Sequence, residues 1–184
     1  MTELPRRVLG NTGLEISVLG FGSLELRGIV AGVGRSIDET RAETILNQVL
    51  DSGINYIDTS VDYGDSEKRI GKFISARRSE FILATKCGCP PDISKFPPEE
   101  RTRYGVPLPG LHDYSRKNII DTLHQRLSRL NTDYIDVLQL HFSPSVELLK
   151  QECAIETLTH LKQEGKIRFI GSVSYTHLTL PTKA

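Results

Sequence analysis

The sequence predicts a parallel α/β fold, and three observations carry that expectation. Short β-like runs alternate with amphipathic helical runs along the chain. The runs that read as strands are mostly apolar, as strands buried on both faces are. Connections from helix to strand are short, whereas two connections from strand to helix are long. Alternation of this kind calls for a parallel sheet with crossover helices. No repeat of fixed period and no low-complexity tract interrupts it.

The elements follow in order. Arg7-Val8-Leu9, a turn at Gly10-Asn11-Thr12-Gly13, and Leu14-Glu15-Ile16 read as a hairpin. Val18 to Gly22 is the first strand of the sheet, and a Gly-rich loop from Leu24 to Arg35 follows. Ser36-Ile37-Asp38-Glu39 has the spacing of a capping box, which opens a helix with Ala42, Ile45, Leu46, Val49 and Leu50 on one face. Gly53 stops that helix, and Tyr56 to Thr59 is the second strand. A helix starting near Ser66 carries Ile70, Phe73 and Ile74, and Phe81 to Thr85 is the third strand. Ile119, Ile120, Leu123, Leu127 and Leu130 mark a third helix, followed by a strand from Tyr134 to Leu140. Ile155, Leu158 and Leu161 lie on a fourth helix closed by Gly165, and Ile167 to Ile170 is the fifth strand.

Composition narrows the function classes. The 184 residues carry 23 basic and 23 acidic side chains, so there is no positive excess to favour nucleic acid or an anionic membrane. No apolar run approaches the roughly 18 residues of a membrane span, and Met1 to Pro5 is no signal peptide. A cytoplasmic protein is therefore expected. The three cysteines are an odd number, and Cys87-Gly88-Cys89 is not a C-x-x-C motif, so reduced thiols are the reading. A zinc site built from Cys87, Cys89 and His112 lacks the usual finger spacing, and no metal is expected.

The long loops, residues 24 to 35 and Cys87 to Tyr114, leave strand carboxyl ends, where α/β proteins build their active sites. The second loop holds six of the nine prolines, which restrict its backbone. At the same ends stand ionisable residues: Asp58 on strand two, with Tyr63 just beyond, Lys86 on strand three and His141 on strand four. A charge at the end of an apolar strand is costly to desolvate unless paired. Neighbouring strands lie about 4.8 Å apart, so Asp58, Lys86 and His141 can share one small space with Tyr63 folded over it. The chemistry suggested is proton transfer to an oxygen. An ammonium beside a phenol favours the phenolate, so Lys86 would make Tyr63 a better acid while Asp58 holds the lysine in place. A neutral His141 could hydrogen-bond the same oxygen. Gly20-Phe21-Gly22 and Gly32-Val33-Gly34 do not extend to G-x-G-x-x-G, so the Rossmann fingerprint is absent.

On these residues the chain resembles the aldo-keto reductase family. The likeness runs from Leu9-Gly10-Asn11-Thr12-Gly13-Leu14 and Leu19-Gly20-Phe21-Gly22 through Gly53 to Thr59 and Tyr63-Gly64. It continues in Ser66-Glu67, Ala84-Thr85-Lys86, Leu140-His141 and Gly165 to Gly171. The resemblance implies a (β/α)8 TIM barrel closed below by the hairpin, and NAD(P)H-dependent reduction of a small aldehyde or ketone, usually with NADPH. It implies a catalytic tetrad of Asp58, Tyr63, Lys86 and His141, and cofactor contacts at Gly22, Ser23 and Asp58. It also accounts for nucleotide binding without a Rossmann fingerprint.

Five strands fall short of the eight that such a barrel needs. Residues 1 to 171 are accordingly expected to be the N-terminal part of one barrel. Val173 to Thr182 reads as one translated frame of a transposase-type sequencing adapter, so residues 172 to 184 are expected to be a non-native tail. The expectation is that a longer parent is the reductase and that this chain alone is inactive. A Schiff-base aldolase using Lys86, and a cofactor-binding regulatory subunit on the same fold, are the alternatives.

Overall fold

The computed structural model describes residues 4–29, 32, 34–90, 95–101 and 108–173. It opens with an antiparallel hairpin of β1 (Arg6–Val8) and β2 (Glu15–Ser17), in the register Arg7 opposite Ile16. A five-stranded parallel sheet follows, in the order β3 (Phe21–Gly22), β4 (Tyr56–Asp58), β5 (Ile82–Cys87), β6 (Ile135–Leu140) and β7 (Ile167–Ser172). Spatial order matches chain order, so each strand lies beside its predecessor, as in a sheet that winds toward a barrel. The helices α1 (Glu39–Asp51), α2 (Ser66–Ile74), α3 (Arg116–Leu130) and α5 (Ala154–Gln163) lie between successive strands. A short additional helix, α4 (Val146–Gln151), precedes α5 and was not anticipated from the apolar pattern.

The pleat sorts the side chains into two layers. On the helix side, Ile57, Leu83, Leu138 and Leu140 pack with Leu46, Ile70, Leu123, Leu127 and Leu158 into the main core. On the opposite side, Ala84 and Val137 pack with Leu14 and with Leu9, Tyr56, Ile82 and Phe169. The second cluster is the floor of the concave face, with the hairpin plugging it. Asn55 fastens that plug: its Oδ1 accepts from Ser17 N at 2.7 Å and its Nδ2 donates to Glu15 O at 2.9 Å.

Several local expectations are corrected. The helix α1 is capped by Asp38, which accepts from Arg41 N at 2.7 Å, rather than by Ser36, because Asp38 stands three residues before that orphan amide. Part of the loop read at 24–35 is a turn of 3-10 helix from Ser23 to Arg27. Ile155 is 43% exposed, so α5 buries Ala154, Leu158 and Leu161 instead. The fifth strand continues to Ser172, paired with Leu140, and Val173 N donates to Leu140 O at 2.9 Å. Residues 174–184, most of the expected tail, lie outside the described residues. Gly53 does stop α1, with a φ of +86° that an L residue rarely adopts.

Two buried carboxylates tie the layers together. Glu67 on α2 accepts from Thr85 and Arg126 at 3.0 Å each, and from Arg129 Nη2 at 2.8 Å, joining α2, α3 and β5. Asp136 on β6 accepts from Leu83 N at 2.9 Å, Arg78 at 2.6 Å and Arg168 at 2.7 Å, joining β5, β6 and β7.

Candidate active site

The strand register decides which residues meet. Asp58 pairs with Ala84, Lys86 with Gln139 and Gln139 with Gly171. Paired residues in a parallel ladder share a face, and so do residues two apart on one strand. Asp58, Lys86 and Gln139 therefore all stand on the concave side at the carboxyl ends of β4, β5 and β6. Lys86 Nζ donates to Asp58 Oδ1 at 2.5 Å and to Thr59 O at 2.9 Å, with the lysine side chain only 4% exposed. Gln139 Nε2 donates to the other oxygen, Asp58 Oδ2, at 3.0 Å. A buried cation thus has its counter-ion, and the counter-ion is fixed from two strands, as the cost of burying charge requires.

Tyr63 stands over this pair. Its backbone closes the turn from β4 into α2, accepting from Ser66 N at 3.0 Å and donating to Ser60 O at 3.1 Å. The Lys86 ammonium lies 4.8 Å from the centre of its half-buried ring. Tyr56, by contrast, sits on the floor of the concave face. Burial, with the nearby charge of Asp58, pushes its phenol up to about 12. Tyr56, on β4, is thus held protonated at the floor, while Tyr63, beyond the strand's carboxyl end, stands at the rim beside the ammonium.

His141 follows β6, and its backbone N donates to Cys87 O at 3.0 Å. Its ring does not join the Asp58–Lys86 pair directly. Nδ1 lies 2.9 Å from Cys89 Sγ and 3.5 Å from Asp62 Oδ2. The ring stacks on Phe142, at 4.4 Å between centroids, and meets His112 edge-on at 5.3 Å. Phe142 takes a left-handed φ of +64°, which turns its ring back over His141. The Tyr114 hydroxyl donates to His141 O. Burial raises the Cys89 thiol well above its ordinary range, and the Asp62 charge adds to that rise. Burial alone would raise Asp62, but the His141 ring and the Ser60 hydroxyl beside it bring it below the usual carboxylate value.

Cys87 and Cys89 part company at Gly88. Cys87 points into the core on the helix side, where burial pushes its thiol up to about 12. At Gly88 the chain turns with a φ of +87°, and a Cβ there would stand 2.3 Å from the Tyr114 ring. That turn delivers Cys89 to His141. The grouping of Cys87, Cys89 and His112 is therefore not the one that forms: Cys89 and His112 gather with Asp62 and His141, without Cys87.

Gly22 pairs with Asp58 at the exposed edge of the sheet, and a Cβ there would meet nothing within 4 Å. Ser23, beside it, is fully buried. Its hydroxyl donates to Asp58 O at 2.9 Å and accepts from Ser66 Oγ at 2.7 Å, so it braces the strand carrying the Asp58 carboxylate. Sequence reasoning missed Gln139, Asp62 and Cys89 as neighbours of these residues. Gln139 was detectable as the polar residue two before His141 on an apolar strand. Asp62 and Cys89 lie on loops and gave no periodic signal.

The sequence model of the Aldo/keto reductase family matches residues 18–180. L-galactose dehydrogenase of Arabidopsis thaliana is 36% identical over 179 residues, covering 93% of this chain and 49% of the relative. A protein of Schizosaccharomyces pombe named as a putative voltage-gated potassium channel subunit beta is 32% identical over 182 residues, covering 95% of this chain and 46% of the relative. The holo form of an aldo-keto reductase from Bacillus halodurans superposes with a TM-score of 0.73 at 36% identity, covering 94% of this chain and 51% of that one. The chain thus spans about half the length of the relatives it matches. It belongs to the aldo/keto reductase family, and its parallel sheet is five strands of that family's barrel.

Proposed function

We propose that this chain carries the catalytic half of an NAD(P)H-dependent oxidoreductase that reduces an aldehyde or ketone to an alcohol. The observation that carries this reading is the Lys86 ammonium, clamped by Asp58 and set 4.8 Å from the Tyr63 ring at the rim of the sheet. Tyr63 would give its proton to the carbonyl oxygen and Lys86 would stabilise the phenolate left behind, while a bound nicotinamide would supply the hydride. Asp58 and Gln139 keep Lys86 aimed, and His141 orients the carbonyl. Gly22 and Asp58 would hold the nicotinamide end of the cofactor, NADPH by preference, with Ser23 bracing that edge. An amine engaged by a carboxylate at 2.5 Å is a poor nucleophile, which disfavours Schiff-base chemistry at Lys86.

Because its relatives are about twice as long, we place the activity in a barrel completed by further strand–helix units. Resequencing source DNA past the codon for Gly171 shows whether the frame continues into them. The completed protein should oxidise NADPH with reactive aldehydes, hydroxylated aldoses among them, and the 184-residue chain alone should not. The relative named as a channel subunit supports a second reading, in which cofactor binding serves to regulate. Tight NADPH binding with negligible turnover on every carbonyl tried would favour that reading and refute the first.

A further inference from the structure

Asp62, Cys89, His112 and His141 bring one ligand atom each to a single point, all within 4.8 Å of one another. Three of these residues are buried and His112 is half-buried. They come from three separate segments: the turn after β4, the loop after β5 and the end of β6. The Asp62 carboxylate is the anomaly. Its side chain is 0% exposed, yet neither oxygen has a partner at ordinary hydrogen-bond geometry, and His141 Nδ1 stands a long 3.5 Å from Oδ2. A buried carboxylate without hydrogen bonds is costly, and such groups are ordinarily satisfied by a donor, a water or a metal ion.

We propose that these four residues form a binding site for a divalent transition metal of the zinc type. One thiolate, two imidazoles and one carboxylate are a ligand set that zinc accepts. Tetrahedral coordination at zinc's usual bond lengths separates sulfur from nitrogen by about 3.5 Å and oxygen from nitrogen by about 3.4 Å. The observed separations of 2.9 Å for Cys89 to His141 and 3.5 Å for His141 to Asp62 need shifts of about half an ångström to reach that geometry. The charges also balance. Thiolate and carboxylate together neutralise a dication, so the filled site is neutral in a buried place. Binding releases the Cys89 thiol proton to solvent and forms the metal–sulfur bond, with no change of oxidation state.

The site is distinct from the proton-transfer residues but shares His141 with them. Metal on Nδ1 leaves Nε2 protonated, so that ring would present a fixed N–H donor. It would also pin His112, and with it the long loop after β5, to the end of β6.

The test uses the 184-residue chain, stripped with a chelator and then titrated with zinc or cobalt alone. Stoichiometric binding is expected, and the cobalt form should show tetrahedral d–d bands with a thiolate-to-cobalt charge-transfer band. Cys89→Ser should abolish that band, and His112→Gln should weaken zinc binding at least about tenfold. Cys153→Ser, at an exposed thiol, should change neither. Zinc-edge X-ray absorption of the unmutated chain needs no variant and should report one sulfur in the first coordination shell. Absence of stoichiometric binding, a shell without sulfur, or a cobalt spectrum unchanged in Cys89→Ser would each overturn the site. None of these readouts depends on reductase activity, so the proposal and the reading of function fail separately.

Discussion

Asp58 is engaged by Lys86 on one oxygen and Gln139 on the other, so its replacement separates electrostatic from steric roles. Asp58→Asn keeps the shape but leaves a buried ammonium without its counter-ion. A loss of about 2 kcal/mol is expected from urea unfolding, between the exposed and buried limits because Asp58 itself is 30% exposed. An unchanged midpoint would mean that the ion pair holds nothing. Gln139→Leu should mainly lower turnover of the completed protein, since it frees the aspartate to rotate, while costing less stability than Asp58→Asn. Proton linkage offers a second check. Burial lifts Cys87 from the usual 9.0 to about 12 and Tyr56 from 10.0 to about 12. The folded protein then retains protons that the unfolded chain has released. The stability these groups contribute is whole below about pH 9 and drains as pH rises toward 12. Urea midpoints should fall as pH rises from about 9 toward 12, and Cys87→Ala should flatten that slope; an equal slope in the variant would contradict the assignment. That Asp58, Lys86 and His141 stand at strand ends, with Tyr63 just beyond one of them, was legible in the sequence because strand ends are easily located, whereas the turn of the His141 ring toward Cys89 was not. Gln139 gave a weaker signal, a polar residue two before His141, and only the register shows that it reaches Asp58. The loop residues Asp62 and Cys89 were hidden for a different reason: their meeting depends on the turn at Gly88 and not on any period.

At the scale of elements, the buried carboxylates carry more of the architecture than apolar periodicity suggests. Glu67 is 1% exposed and holds two arginines from α3 together with Thr85 of β5. Glu67→Gln leaves those cations without a countercharge and should cost about 3–5 kcal/mol by chemical denaturation. A cost under about 1 kcal/mol would show that solvent already screens the cluster. Helices and strands were readable to within a few residues because both faces of the sheet are apolar and the helices amphipathic. Two errors have physical causes. At α1, Ser36 and Asp38 both suit a cap, and only the position of the first helical turn chooses between them. At α4, six residues are too few to display a period.

For the whole molecule, what matters is that the sheet does not close among the described residues. Strands β3 and β7 are its two edges, each paired on one side only among the described residues. Unpaired edges beside a partly covered concave face favour association. The 184-residue chain should therefore elute as mixed oligomers in size exclusion with light scattering, and a sharp monomer would contradict this. The order of strands came with the family resemblance and its barrel, because right-handed crossovers alone also allow sheets whose order reverses. Closure was not legible, since the described residues hold five strands of the sheet and a closed barrel needs more. The central claim is that Tyr63, beside Lys86, is the proton donor of a carbonyl reductase. It is tested most directly by measuring NADPH oxidation by the completed barrel with and without Tyr63→Phe, alongside cofactor affinity. We expect turnover to fall by about 10²–10⁴ while the NADPH Kd stays unchanged. A variant that turns over at a near-normal rate would refute the assignment.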